Sequence, residues 1–180
     1  MNRTLYLVRH CQATGQAPEA PLTSEGLAQA QMLAEFLSGS SIERIVSSPF
    51  TRAVQSIEPL AQRLGLEIKM DGRLIEAALS TIDYPDWLDR LRSTFSDFDL
   101  SFEGGESGRA ATARAVAAMS DALQSGTDST LIVTHGRLMT LILKHFDPTY
   151  GFEDWRKLSA PDVYRVTLKD GGSDVERLWK

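Results

Sequence analysis

Apolar and polar positions along this chain follow two different periods, and the points where one gives way to the other mark out its elements. Leu5-Tyr6-Leu7-Val8 is an unbroken apolar run between polar neighbours, which predicts a short strand buried on both faces. From Thr23 to Leu37 the period changes. Leu27, Ala30, Leu33, Ala34 and Leu37 recur at helical spacing, Thr23 or Ser24 can cap the start with Glu25 in the first turn, and Gly39 is read as the stop. Ile45-Val46 predicts a second strand. After it, Ser48-Pro49 offers a cap and a first-turn proline for a helix running through Ala53, Val54, Ile57, Leu60, Ala61 and Leu64 to Gly65, bent at Pro59. Glu67 to Met70 reads as a third strand.

The pattern breaks into loops between Asp71 and Gly108, with one helix around Asp86 to Phe95 and the flexible pair Gly104-Gly105. Ala110 to Leu123 is alanine-rich, with Val116, Met119 and Leu123 on one face, and predicts a long helix. Thr130 to Val133 is another buried strand, ended by Thr134-His135-Gly136, and Leu138, Leu141, Ile142 and Phe146 mark the helix after it. Val163 to Leu168 and Val175 to Leu178 flank Asp170-Gly171-Gly172-Ser173, the pattern of a hairpin at one edge of a sheet. Strands alternating with helices predict a three-layer α/β/α sandwich with a mainly parallel central sheet. We read residues 1–180 as one domain, in which 71–108 is a small cap-like excursion covering the substrate. Ligands in such sheets bind beyond the carboxyl ends of the strands, where the chain places Arg9-His10, Ser47-Ser48 and Thr134-His135.

Composition narrows the partners. With 42% apolar and 24% charged residues, the 180-residue chain can bury a sizeable core. Its net charge of -5 supplies no global positive field for a polynucleotide or an anionic membrane surface, so any anionic ligand must be small and met locally. No apolar stretch approaches the roughly 20 residues of a membrane span, and the short run after Met1-Asn2-Arg3-Thr4 does not resemble a signal peptide. The single cysteine, Cys11, cannot form an internal disulfide, and a cytoplasmic location is expected. Three histidines without a His-Glu-x-x-His helix or paired cysteines give no metal site, and no Walker loop is present. We therefore expect no metal and no cofactor.

What remains is a set of charges at strand ends. Taken singly, His10 or His135 is an ordinary hydrogen-bonded histidine; if the fold brings them together with Arg9 and with Arg52, in the first turn of the helix after the second strand, the two guanidinium groups can bind a dianionic phosphoryl group. Cationic neighbours disfavour imidazolium and lower a histidine below its ordinary value of about 6.5, leaving a ring nitrogen free to attack phosphorus. Amides at a helix N-terminus would add donors.

In these motifs and their order, the chain resembles the histidine phosphatase superfamily, in the branch of cofactor-dependent phosphoglycerate mutases and small-molecule phosphatases. Its arginine-histidine-glycine motif stands here as Arg9-His10-Cys11. Leu22-Thr23-Ser24-Glu25-Gly26, Ser47-Ser48-Pro49-Phe50-Thr51-Arg52-Ala53, Arg73-Leu74-Ile75-Glu76 and Gly105-Glu106-Ser107 match further segments, so the resemblance runs over nearly the whole chain. It implies that His10 is the nucleophile, that Arg9, Arg52 and His135 form the phosphate pocket with Gly136, and that Glu76 gives the leaving group its proton, with Glu106 as the alternative donor. Two positions depart from the pattern: Cys11 replaces a glycine, and Gln16 stands where an asparagine is usual. Only Ala17 to Pro21 separate Gln16 from Leu22, which shortens the loop that mutases carry here and opens the site.

The resulting expectation is a phosphatase that hydrolyses small phosphate monoesters through a phosphohistidine and releases inorganic phosphate. Three alternatives stay open: a mutase-type transfer to a second hydroxyl, a protein phosphohistidine phosphatase, and a non-catalytic module that binds a phosphorylated ligand. The oligomeric state is undetermined. Cys11 lacks the Cys-x5-Arg loop of cysteine phosphatases, since Ala17 stands where the arginine belongs, and is read as a small buried residue. Arg73 and Arg109 are read as surface charges, and Met139, His145, Trp87, Trp155 and Trp179 as packing.

Overall fold

The computed structural model describes residues 2–124 and 126–179; Met1, Ser125 and Lys180 of the 1–180 unit lie outside the described residues. Six strands, β1 (Arg3–Arg9), β2 (Arg44–Ser47), β3 (Ile68–Met70), β4 (Ser129–Thr134), β5 (Asp162–Lys169) and β6 (Gly172–Arg177), form one sheet in the order β3-β2-β4-β1-β5-β6. The pairs β3-β2, β2-β4 and β4-β1 are parallel, and the β5-β6 hairpin adds antiparallel to β1. The three-layer, mainly parallel sandwich expected from the pattern is the observed fold.

The pleat explains the two cores. Alternate residues of β1 face opposite sides of the sheet. Leu5 and Leu7 join one core with Ile132 and residues of the helices α4 (Gly108–Gln124) and α5 (Gly136–Phe146). Tyr6 and Val8 join the other with Leu131, Val133 and residues of α1 (Ser24–Leu37) and α2 (Thr51–Leu64). An apolar run without alternation is what a strand covered on both faces requires.

Local signals fix some helix ends. The Thr23 side chain accepts from the Gly26 amide at the head of α1, and Gly65, at φ 67°, closes α2 in the left-handed conformation that glycine adopts without strain. Gly26 has a second reason: a Cβ there would lie 2.0 Å from the Gln12 carbonyl oxygen, so the loop after β1 can lie against α1 only over a glycine. Elsewhere the structure departs from the pattern. Leu27 is 51% exposed because Gly26 takes the place on the buried face assigned to it. Ser38, and not Gly39, ends α1. Phe50 is the residue that enters α2, so Ser48-Pro49 precede the helix; the Ser48 hydroxyl still accepts from the Phe50 amide at 3.3 Å. The buried face of α4 is built from Ala111, Ala115, Ala118, Met119 and Ala122, which lets α4 lie close to its neighbours.

Residues 71–108 leave the sheet through a short 3-10 turn (Gly72–Leu74) and carry α3 (Trp87–Ser96). A helix absent from the periodicity, α6 (Phe152–Lys157), packs beside α3 through Phe152 against Phe95 and Trp155 against Trp87. Gly105 allows the excursion to fold back: a Cβ there would stand 2.0 Å from the Leu79 carbonyl oxygen. No helix among the described residues is long and apolar enough to cross a membrane.

Candidate active site

β1, β2 and β4 run parallel, so their carboxyl ends bring Arg9-His10, Ser47-Ser48 and Thr134-His135 to one edge of the sheet. The His10 and His135 rings meet edge to face, 5.1 Å between centroids. Arg52 comes in from the first turn of α2. Its Nε donates to His10 Nε2 at 3.3 Å and its Nη1 to the Gln16 and Ala17 carbonyls at 3.2 and 3.0 Å. His10 Nδ1 lies 2.7 Å from the Cys11 carbonyl oxygen, which can only accept. The proton therefore sits on Nδ1, and the Nε2 lone pair faces the guanidinium of Arg52.

Both histidines favour the neutral form. Burial first, then the Arg9 and Arg52 charges, lower His10 to about 4, although its bond to the Cys11 carbonyl works the other way. The sequence argument rested on the cations alone; desolvation is the larger cause. His135, 1% exposed, is pushed well below its ordinary value by burial, and then by His10, Arg52 and Arg9. Its Nε2 shares a 2.8 Å hydrogen bond with Ser48 Oγ. Among the described residues Arg9 makes two long side-chain bonds, from Nη1 to the Leu158 and Ser159 carbonyls, at 3.4 Å each. His135 Nδ1 and the Nε atoms of Arg9 and Arg137 are buried without a partner. Gly136 opens α5 beside Arg9; a Cβ there would come within 3.3 Å of Arg9 Nε, tight enough to press on the guanidinium.

Glu76, at the start of the excursion, lines a cavity together with Arg52; the wall of that cavity does not include Arg9, His10 or His135. Its Oε1 accepts from the Ala77 and Leu138 amides at 2.9 Å each, and Oε2 from the Arg137 amide at 3.1 Å. The first amides of α5 thus hold a side chain, where the sequence reading gave helix amides to the phosphoryl group. Glu106, the alternative donor, is bound through both oxygens to Arg114 at 2.8 Å each and is absent from the cavity wall. Its segment serves to hold the excursion, since the Glu106 amide donates to the Ala78 carbonyl. Arg73 pairs with Asp71 and Asp121, and Arg109 with Asp99, away from the site. Cys11 is fully buried, its thiol pushed up to about 11 by burial.

The cavity encloses about 620 Å³, and its wall includes Gln16, Phe50, Arg52, Glu76 and Arg137. Trp87 and Trp155, expected to be packing residues, line it too; Trp87 opens α3, a helix the pattern predicts, and Trp155 lies in the short α6, which it does not. Arg137 was also missed, although a charge followed at once by the apolar run Leu138 to Leu143 is a signal that it serves something other than packing. Its Nη1 donates to the Ala77 and Ala78 carbonyls and its Nη2 to the Glu106 carbonyl, which fixes the loop that carries Glu76. Among the described residues no group of histidine, cysteine and carboxylate side chains is placed to hold a metal ion.

Known proteins match this chain in fold and in sequence. The solved structure described as mycobacterial hydrolase 1 superimposes with a TM-score of 0.83 at 22% identity, covering 99% of this chain and 98% of that one. Mycobacterial glucosyl-3-phosphoglycerate phosphatase in its complex with inorganic phosphate gives 0.77, also at 22% identity, over 98% and 96% of the two chains. These likenesses establish the fold. A curated relative, named "Probable phosphoglycerate mutase GpmB" in Proteus mirabilis (strain HI4320), is 33% identical over 87 residues, 44% of this chain, and the match spans only 40% of its own length. The model of the histidine phosphatase superfamily (branch 1) matches residues 5–179, nearly the whole chain, and the protein belongs to that superfamily.

Proposed function

We propose that the protein hydrolyses small phosphate monoesters in two steps through a phosphohistidine on His10. The observation that carries this reading is the state of the His10 ring, neutral and pinned by its Nδ1 proton, with the Nε2 lone pair turned toward an arginine. An incoming phosphoryl group takes the place of that contact. Nε2 forms the bond to phosphorus, the ester oxygen departs with its electron pair, and the Cys11 carbonyl supports the charge left on the ring. Arg52, Arg9 and His135 hold the equatorial oxygens, assisted by Gly136 and by Gln16 at the rim. Glu76 delivers a proton to the leaving oxygen through Oε2, the oxygen with a single amide partner. Water then attacks phosphorus, returns a proton to Glu76 and frees inorganic phosphate from His10.

Support also comes from the mycobacterial phosphatase of the same fold, whose structure holds inorganic phosphate. The test is to quench the enzyme with substrate under non-acidic conditions and locate the phosphoryl group. It is expected on His10, and absent together with turnover in His10→Ala. A phosphoryl group on Cys11 would overturn the mechanism. Rapid isomerisation of phosphoglycerate with little phosphate release, after priming with the bisphosphate, would replace the phosphatase reading by a mutase.

A further inference from the structure

The two ends of the cavity differ in chemistry, and the difference describes the part of the substrate that leaves. Beyond Arg52 and Glu76 the wall is formed by Leu79, Ile82, Tyr84, Trp87 and Trp155, with aromatic rings on two elements. Trp87 and Trp155 meet edge to face at 6.3 Å, leaving ring faces for a third partner, and Phe152 stacks behind Trp155 at 5.6 Å. The apolar character continues outward. Ile82 and Trp87 are 42% and 47% exposed, and Leu88 beside them is also exposed, so a solvent-facing apolar strip runs into the mouth.

Charge at this end works against a second anion. The wall holds two cations, Arg52 and Arg137, and a third, Arg90, stacks on the wall residue Tyr84 at 3.7 Å but is paired with Asp86 at 2.8 Å. Arg52 belongs to the phosphoryl group under the function proposed above. Arg137 has both terminal nitrogens committed to the Ala77, Ala78 and Glu106 carbonyls, and its Nε is closed to solvent. Asp83 adds an exposed carboxylate to the rim. A carboxylate or second phosphate on the substrate would lose water and meet only neutral donors such as Ser80 and Tyr84, with the Asp83 carboxylate beside them.

We infer that the natural substrate is the monophosphate of an apolar, ring-bearing alcohol or phenol with no second anionic group. This rests on the phosphatase reading only for the word substrate; as a statement about binding it stands by itself. The experiment therefore has two arms. In the first, kcat/KM is compared for naphthylethyl phosphate, glycerol phosphate, glucose phosphate and phosphoglycerate, all alkyl esters, so that leaving-group reactivity does not decide the order. The naphthylethyl ester should exceed glycerol phosphate by about tenfold or more, equivalent to about 1.4 kcal/mol, with phosphoglycerate lowest. Trp87→Ala should shrink the naphthylethyl-to-glycerol ratio, and Asp83→Asn should raise phosphoglycerate relative to glycerol phosphate.

In the second arm, quenching of tryptophan fluorescence reports binding of naphthylmethyl phosphonate and of phosphonoacetate, neither of which can be hydrolysed. Trp87 and Trp155 lie in the cavity, whereas Trp179 packs on Phe36 elsewhere. Tighter binding of the aryl phosphonate by about tenfold is expected. Glucose phosphate or phosphoglycerate matching the naphthylethyl ester, or equal binding of the two phosphonates, would overturn the inference. If no ester is hydrolysed while the aryl phosphonate still binds preferentially, the phosphatase reading fails and the inference about the cavity holds.

Discussion

The end of the site proposed to hold a phosphoryl group and the end proposed to hold the leaving group are built from different kinds of structure. The first is made of strand ends and a helix start: Arg9, His10, Arg52 and His135 sit where β1, α2 and β4 put them, buried or nearly so. Their positions follow from the sheet. The second is made of the excursion 71–108 and the short α6, with exposed Trp87 and Ile82 on its lip. A sheet covered on both faces cannot shift one strand end without disturbing two cores, whereas a loop can change its side chains at little cost in stability. Such a division keeps one chemistry constant while the molecule it is applied to varies.

Breaking the rigid end should cost most. Arg52→Ala, which removes both the donor to phosphorus-bound oxygens and the anchor on the 16–17 loop, is expected to lower kcat/KM by about 10²–10³-fold, measured on p-nitrophenyl phosphate. A loss of less than about tenfold would mean that Arg9 alone holds the phosphoryl group.

The same rigidity makes stability depend on pH. His10 titrates near 4 in the folded protein and near 6.5 when unfolded, so between these values the unfolded chain binds the extra proton and folding weakens as pH falls. Stability from this group is fully present above pH 6.5 and lost toward pH 4, by about 3 kcal/mol in all. His135 acts in the same direction. Urea midpoints at pH 4.5 and 7.5 for wild type and His10→Gln check this, the variant losing less, and an NMR titration of His10 with a midpoint near 6.5 would contradict it.

Glu76→Gln sharpens the boundary between the two ends, because a proton given by Glu76, in the role proposed for it, matters only when the leaving group needs one. We expect a loss of about 10²-fold on alkyl phosphates and only a few-fold on p-nitrophenyl phosphate. Equal losses would remove Glu76 from that role. The smallest effect is expected from Gly136→Ala, whose added methyl presses on Arg9 Nε at 3.3 Å and can be relieved by a shift of a few tenths of an ångström; kcat/KM should fall by about two- to tenfold with the fold intact by circular dichroism.

The same contrast governs what could be read from the sequence. Leu5 to Val8 and Thr130 to Val133 announce themselves as buried strands, and the charged residues that follow them had to lie at their ends. Arg52 was legible for the same reason. The cavity's far wall was not, because Trp87 and Trp155 meet across 68 residues of chain through loops whose course depends on close approaches such as Gly105 to Leu79. Leu27 misled the pattern because a glycine, invisible to an apolar period, took its place against Gln12. Burial as the main cause of the neutral His10 also needed the three-dimensional packing, since the sequence shows charges but not the loss of water around them.

The position of β1 in the middle of the sheet has a consequence for how the protein is made. Its two hydrogen-bonding neighbours, β4 and β5, lie far downstream; Thr4 pairs with Ser129 and with Thr167. A ribosome adding about 5–20 residues per second needs roughly 6–25 s to reach β4 after β1 has emerged, and longer to reach β5. Throughout that interval an apolar strand that carries Arg9 and His10 has no partner on either edge. The nascent chain is then at its most vulnerable to association with other chains, and the pocket can close around a phosphoryl group only after nearly the last strand has been synthesised.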